Sequence, residues 1–147
     1  MTTHYKGYLV SESGFKVGNQ DAAYDITPGG ASGNNATIVV GAESTSVCNV
    51  AVQFNDPNGS AAAAARAAHV YFTTDAAGQT MATLAAAIGT DGTIIAQNAA
   101  STASWLVVSE ADGDLDLDVT KAGAYTAYMH IVNPDGSLTT SGVITWT

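Results

Sequence analysis

The chain has 147 residues, four Lys+Arg against 13 Asp+Glu and a formal net charge of −9. Binding to nucleic acid depends on cations that neutralise phosphates, and no basic patch exists to supply them, so direct binding to nucleic acid is not expected; the acidity instead favours solubility. Hydrophobic residues at 46% are enough for one core, and charged residues at 12% are about half the usual share of roughly 25%, which leaves the surface to Thr, Ser, Asn, Gly and Ala.

Residues 1–36 read as an N-terminal arm. They carry Tyr5, Tyr8, Phe15 and Tyr24 at wide intervals and end in Pro28-Gly29-Gly30-Ala31-Ser32-Gly33-Asn34-Asn35, a hinge by composition. Spaced aromatics without a periodic core face suit a terminal strand of the same domain or an anchor on a neighbouring subunit. These four aromatics are the expected partner contacts.

Residues 37–147 read as short strands cut by turns. Thr37-Ile38-Val39-Val40 is an apolar run, and Val50, Val52 and Phe54 follow in period two. Asp56-Pro57-Asn58-Gly59 is a turn, because Pro presets φ and Asn-Gly accepts positive φ. Ala61 to Ala68 has helical propensity but leads into His69-Val70-Tyr71-Phe72-Thr73-Thr74, rich in strand formers; a loop plus strand is expected there. Asp75-Ala76-Ala77-Gly78 turns again. Met81, Leu84, Ala85 and Ile88 stand at helical spacing over a segment too short to hold a helix alone. Asp91-Gly92 marks a hairpin. Ser104 to Ser109 is a strand, Asp112-Gly113 a turn, and Leu115-Asp116-Leu117-Asp118-Val119 the cleanest alternation in the chain. Strands over Ala124 to Val132 and Leu138 to Trp146 complete about six or seven. That spacing predicts an all-β antiparallel sandwich over residues 37–147.

Chemistry-bearing patterns are few. Asp112, Asp114, Asp116 and Asp118 recur at every second position, but an EF-hand loop counted from Asp112 would need Gly where Leu117 stands and an acid where Gly123 stands. In a strand the last three share a solvent face instead. His4, His69 and His130 share no ligand spacing. No Gly-x-Ser-x-Gly elbow and no phosphate-binding Gly loop occurs. Catalytic residues, cofactors and metals are therefore not expected. The lone Cys48, between Val47 and Asn49, rules out an intrachain disulfide and reads as a small buried strand residue. No secretory signal is visible, no apolar run approaches the roughly 18–20 residues of a membrane span, and the sequons at Asn35 and Asn58 read as chance.

Asp118-Val119-Thr120-Lys121-Ala122-Gly123-Ala124-Tyr125-Thr126-Ala127 resembles the entry to a late strand of immunoglobulin-like domains. That resemblance implies a tyrosine corner at Tyr125, with the hydroxyl folded back onto preceding backbone. Ala127 stands where such domains place a Cys, so the disulfide is missing.

Further strings resemble small structural proteins of tailed-bacteriophage virions with a β-sandwich domain: Ala67 to Gly78, Ala87 to Thr93, Asp114 to Val119, Asn133 to Leu138 and Ser141 to Thr145. The resemblance covers roughly residues 45–147 and implies a structural role without catalytic residues. Among such proteins a capsid decoration (cement) protein is expected first. It would sit on the virion surface, bound to the major capsid protein, to copies of itself as a homo-oligomer such as a trimer, or to both. It would be assembled in the host bacterial cytoplasm, without membrane or nucleic acid. The alternative is a receptor- or carbohydrate-binding module of a tail fibre or adhesin, with Trp105, Trp146 and tyrosines stacking on sugars.

Overall fold

A computed structural model describes residues 15–17, 20–22, 35–56, 59–97, 103–133 and 136–147. The chain divides into two units, 1–30 and 31–147. In the first, β1 (Phe15–Val17) pairs antiparallel with β2 (Gln20–Ala22). Most of the expected arm lies outside the described residues.

The second unit is an antiparallel β-sandwich, and no helix occurs among its described residues. Sheet 1 has the order β3-β4-β9-β6, from β3 (Asn35–Ser44), β4 (Val47–Asn55), β9 (Asp114–Thr120) and β6 (Ala85–Ile88). Sheet 2 has the order β11-β10-β5-β8-β7, from β11 (Leu138–Thr140), β10 (Tyr125–Val132), β5 (Ala67–Thr73), β8 (Ser104–Val108) and β7 (Thr93–Gln97). β12 (Ile144–Trp146) also pairs with β10, so β11 and β12 are one edge strand broken at residues 141–143. Ser141 bridges the break: its N–H donates to the Met129 carbonyl at 2.9 Å, and its hydroxyl accepts the Met129 N–H at 2.9 Å.

The placement is immunoglobulin-like, with β3, β4, β9 and β6 in the A, B, E and D places and β11/β12, β10 and β5 in the G, F and C places. The middle of the chain is routed differently. After β5 it goes first to the far edge of sheet 1 as β6, then lays the hairpin β7–β8 beside β5.

Alternation fills the core from both sheets. Val50, Val52, Phe54, Leu115 and Leu117 of sheet 1 face Val70, Phe72, Trp105, Val107, Met129 and Ile131 of sheet 2, all at most 1% exposed. Trp105 meets Phe72 edge-on, with ring centroids 5.4 Å apart. Asp114, Asp116 and Asp118 point the other way from Leu115, Leu117 and Val119, as the period of two requires. The turn before β9 docks tightly on β4: the Phe54 N–H donates to the Gly113 carbonyl at 2.9 Å, and the Phe54 carbonyl accepts the Ala62 N–H at 2.9 Å. Gly113, at φ +88, lies so close that a Cβ there would stand 2.7 Å from the Phe54 carbonyl oxygen.

Candidate interaction surface

Of the four aromatics expected at a partner contact, Tyr5, Tyr8 and Tyr24 lie outside the described residues. Phe15 is in β1, opposite Ala22, and its side chain is not described. Tyr125 differs from the expected corner. Its hydroxyl accepts the backbone N–H of Thr83 at 3.1 Å, 42 residues earlier, and so ties β10 to the segment before β6 instead of to its own turn. The Lys121 ammonium lies 4.5 Å from the Tyr125 ring centroid. Cys48 is buried at 1% exposure, with its thiol 3.5 Å from the Thr145 carbonyl, and burial, then Glu43, pushes its pKa up.

The two outward faces of the sandwich differ in charge. Sheet 1 presents Asp114, Asp116 and Asp118 on one strand. Asp118 accepts from the Asn49 amide at 3.1 Å, and Asp116 accepts from the Thr90 hydroxyl at 2.6 Å. Burial first, then Asp112, Asp91 and Asp116, raises the Asp114 pKa. Among the described residues no group of three or more His, Cys, Asp or Glu is placed to hold a metal ion.

Sheet 2 presents rows without a carboxylate, ammonium or guanidinium. Register aligns Ala96, Leu106, His69, Val132 and Leu138 across β7, β8, β5, β10 and β11. The next row is Ser104, Tyr71, His130 and Thr140. Leu106 is 38% and Leu138 40% exposed, and Ile95, at the register shift in the β7 edge, is 56% exposed. Tyr71 stacks on His130 at 5.0 Å and on His69 at 6.1 Å, and the His69 Nε2 is 2.9 Å from the Ser104 hydroxyl. The alternation of β5 already puts His69 and Tyr71 on one face in the sequence. Their neighbours from β8, β10 and β11 come from far along the chain, and no local pattern announces them.

Trp105 and Trp146, the stacking platforms that a sugar-binding site would use, are both 1% exposed in the core. Compared with family models, curated proteins and solved structures, the chain matches none.

Proposed function

We propose that this chain is a non-enzymatic assembly domain that docks on other protein chains through the outward face of sheet 2. One observation carries the reading: in a chain of net charge −9, the strand rows of this face hold exposed leucines and stacked rings without a formal charge, and the carboxylate beside them is that of Asp75 in the loop after β5. Interface centres are depleted of charge and enriched in aromatics, and exposed apolar patches rimmed by polar groups mark contact surfaces. The carboxylates of sheet 1 stay on the opposite face, where they keep that side solvated.

The specific form we propose is a decoration protein on the capsid of a tailed phage, bound to the major capsid protein and to its own copies. The virion-protein strings in the sequence support this form, and the one over Ala67 to Gly78 runs through β5, the middle of the face. Many weak contacts on a repeating lattice would add up through avidity. The alternative, a receptor- or carbohydrate-binding module of a tail fibre, would have to rest on the tyrosines, since Trp105 and Trp146 are buried.

The test combines labelling with substitution. Antibody against the chain should label virion heads in electron micrographs. Leu106→Glu should fold with a melting temperature within about 3 °C of the parent, since surface changes cost within about 0.5 kcal/mol, yet lose head binding in co-sedimentation. Label at the tail tip would favour the receptor-binding module. Undiminished binding by Leu106→Glu would remove the face from the reading.

A further inference from the structure

Residues 74–80 leave the end of β5 and fold as a strap over the outward face of sheet 2. Asp75 organises the strap. Its Oδ1 accepts the Gln79 N–H at 3.1 Å and its Oδ2 the Thr80 N–H at 2.7 Å. Its carbonyl accepts the Gly78 N–H at 3.2 Å and the Thr73 hydroxyl at 2.6 Å. The strap reaches the face at Gly78, where a Cβ would stand 2.7 Å from the Tyr71 Oη, 3.2 Å from a Leu138 methyl and 3.5 Å from the His130 ring.

His130 is on the outward side of β10, yet it is 0% exposed. Its Nε2 lies 2.7 Å from the Thr73 Oγ1. The single Thr73 hydroxyl proton already goes to the Asp75 carbonyl, so Nε2 carries a proton and donates. Its Nδ1, 3.0 Å from the Thr140 Oγ1, is then left to accept the Thr140 hydroxyl proton. The geometry is that of a neutral imidazole with its proton on Nε2. A second proton would force the Thr140 hydroxyl to turn and would leave a cation under the strap.

The groups that face this ring are few. From β5 comes the Tyr71 ring, with His69 beyond it; burial, then Asp75, moves the Tyr71 hydroxyl above its ordinary value, outside the range from pH 5 to 7. From the strap comes Asp75, whose bonds from Gln79 and Thr80 hold its carboxyl below the usual carboxylate value, so it stays ionised in that range. From β11 come Thr140 and Leu138, both uncharged.

We propose that the strap is an acid-released cover on the docking face, closed over neutral His130 and opened when that imidazole takes a second proton. Its purpose rests on the reading of sheet 2 as a docking face; its mechanism does not. Burial pushes His130 below the ordinary histidine value and outweighs the Asp75 carbonyl and carboxylate, which pull the other way. In the opened form the ring meets water and regains an ordinary value near ~6.5. Opening therefore takes up a proton. The closed strap is fully favoured above about pH 6.5, and the open fraction grows up to about tenfold per unit below it, until the closed form itself protonates. Opening uncovers Tyr71, Thr73 and Leu138 and enlarges the face. The ladder of β10 with β5 stays paired, because only the strap bonds need to break.

The test is amide hydrogen exchange by NMR on the full chain at pH 7.5, 6.5 and 5.5, read as protection factors. The Gln79 and Thr80 amides should lose up to about tenfold protection between pH 6.5 and 5.5, while amides of β4 and β9 hold theirs. The loss should vanish in His130→Gln and persist in His69→Gln. Strap and core amides that lose protection together, or a strap that loses none, would overturn the proposal. If His130→Gln does not fold, the pH course in the parent chain decides: the loss of strap protection must set in below about pH 6.5, and a loss as large between pH 7.5 and 6.5 as between 6.5 and 5.5 refutes the link. A strap that opens as stated in a chain that binds no partner would sink the docking reading and leave the switch standing.

Discussion

Replacing Gly113 with Ala should be among the most damaging single-methyl additions to this domain. The residue sits at φ +88, where an L side chain costs about 1 kcal/mol. The added Cβ would also stand 2.7 Å from the Phe54 carbonyl oxygen, 2.8 Å from the Gln53 Nε2 and 3.1 Å from the Ala62 Cβ. Two of these neighbours are held in place. The Phe54 carbonyl accepts from Ala62 at 2.9 Å, and the Phe54 N–H donates to the Gly113 carbonyl at 2.9 Å. Relief requires the turn to lift from β4, which loses or strains the Phe54–Gly113 bond and the 2.9 Å bond that the Gln53 side-chain amide donates to the Asp112 carbonyl, at about 1 kcal/mol each, more where a buried group is left unsatisfied. The sum is about 3–5 kcal/mol. Gly123→Ala is the internal control, because Gly123 has φ +76 and nothing within 4 Å of its Cβ position, so only the backbone cost of about 1 kcal/mol applies. In urea unfolding, with a slope of about 1.5 kcal/mol/M, Gly113→Ala should lower the midpoint by about 2–3 M and Gly123→Ala by about 0.7 M. Equal midpoints for the two variants would refute the close-approach argument.

Cys48 should resist a thiol reagent in native buffer and react only as urea unfolds the chain, since it is 1% exposed and its thiolate is disfavoured by burial; stoichiometric labelling of the native protein within minutes would contradict the placement. Tyr125→Phe should cost about 0.5–1.5 kcal/mol, read from the urea midpoint, because it leaves the Thr83 N–H without its acceptor. No loss would mean that water replaces the hydroxyl without penalty.

The sandwich was legible wherever one strand face is buried and the other wet. The Leu115, Leu117 and Val119 alternation needs only the period of two to be placed correctly. The run before His69 is extended and not helical: Ala61 bridges Asn55, and β5 begins at Ala67, so sheet pairing overrides the Ala propensity. The helical spacing of Met81, Leu84, Ala85 and Ile88 is a coincidence of composition. Ala82 and Leu84 are buried in alternation, and β6 follows at Ala85. The single expected strand from Leu138 to Trp146 is broken because Ser141 turns its polar atoms onto Met129, a long-range bond that nothing local predicts. The Tyr125 motif was visible, but its acceptor role depends on where Thr83 arrives, which pattern cannot give. The uncharged face was hidden for the same reason: it exists only after β8, β10 and β11 are laid beside β5.

The route of the chain between the sheets also bears on how the molecule forms. The β3–β4 hairpin closes locally, with Ser44 opposite Val47. Its next neighbour, β9, is far along the chain, as the bond between Asn49 and Asp118 across 69 residues records. Loop closure over that span must be completed before the pairing returns any energy, so folding belongs in the millisecond-to-second class of β-rich topologies. During synthesis at about 5–20 residues per second, those 69 residues take roughly 3–14 s to emerge. Until that interval ends, Val50, Val52 and Phe54 lack the complete β9 beside them, and β10, β11 and β12 of sheet 2 have not yet been made. The hairpin is then an apolar strand pair with an open edge, and the time it waits governs losses to aggregation more than the equilibrium stability of the finished sandwich does.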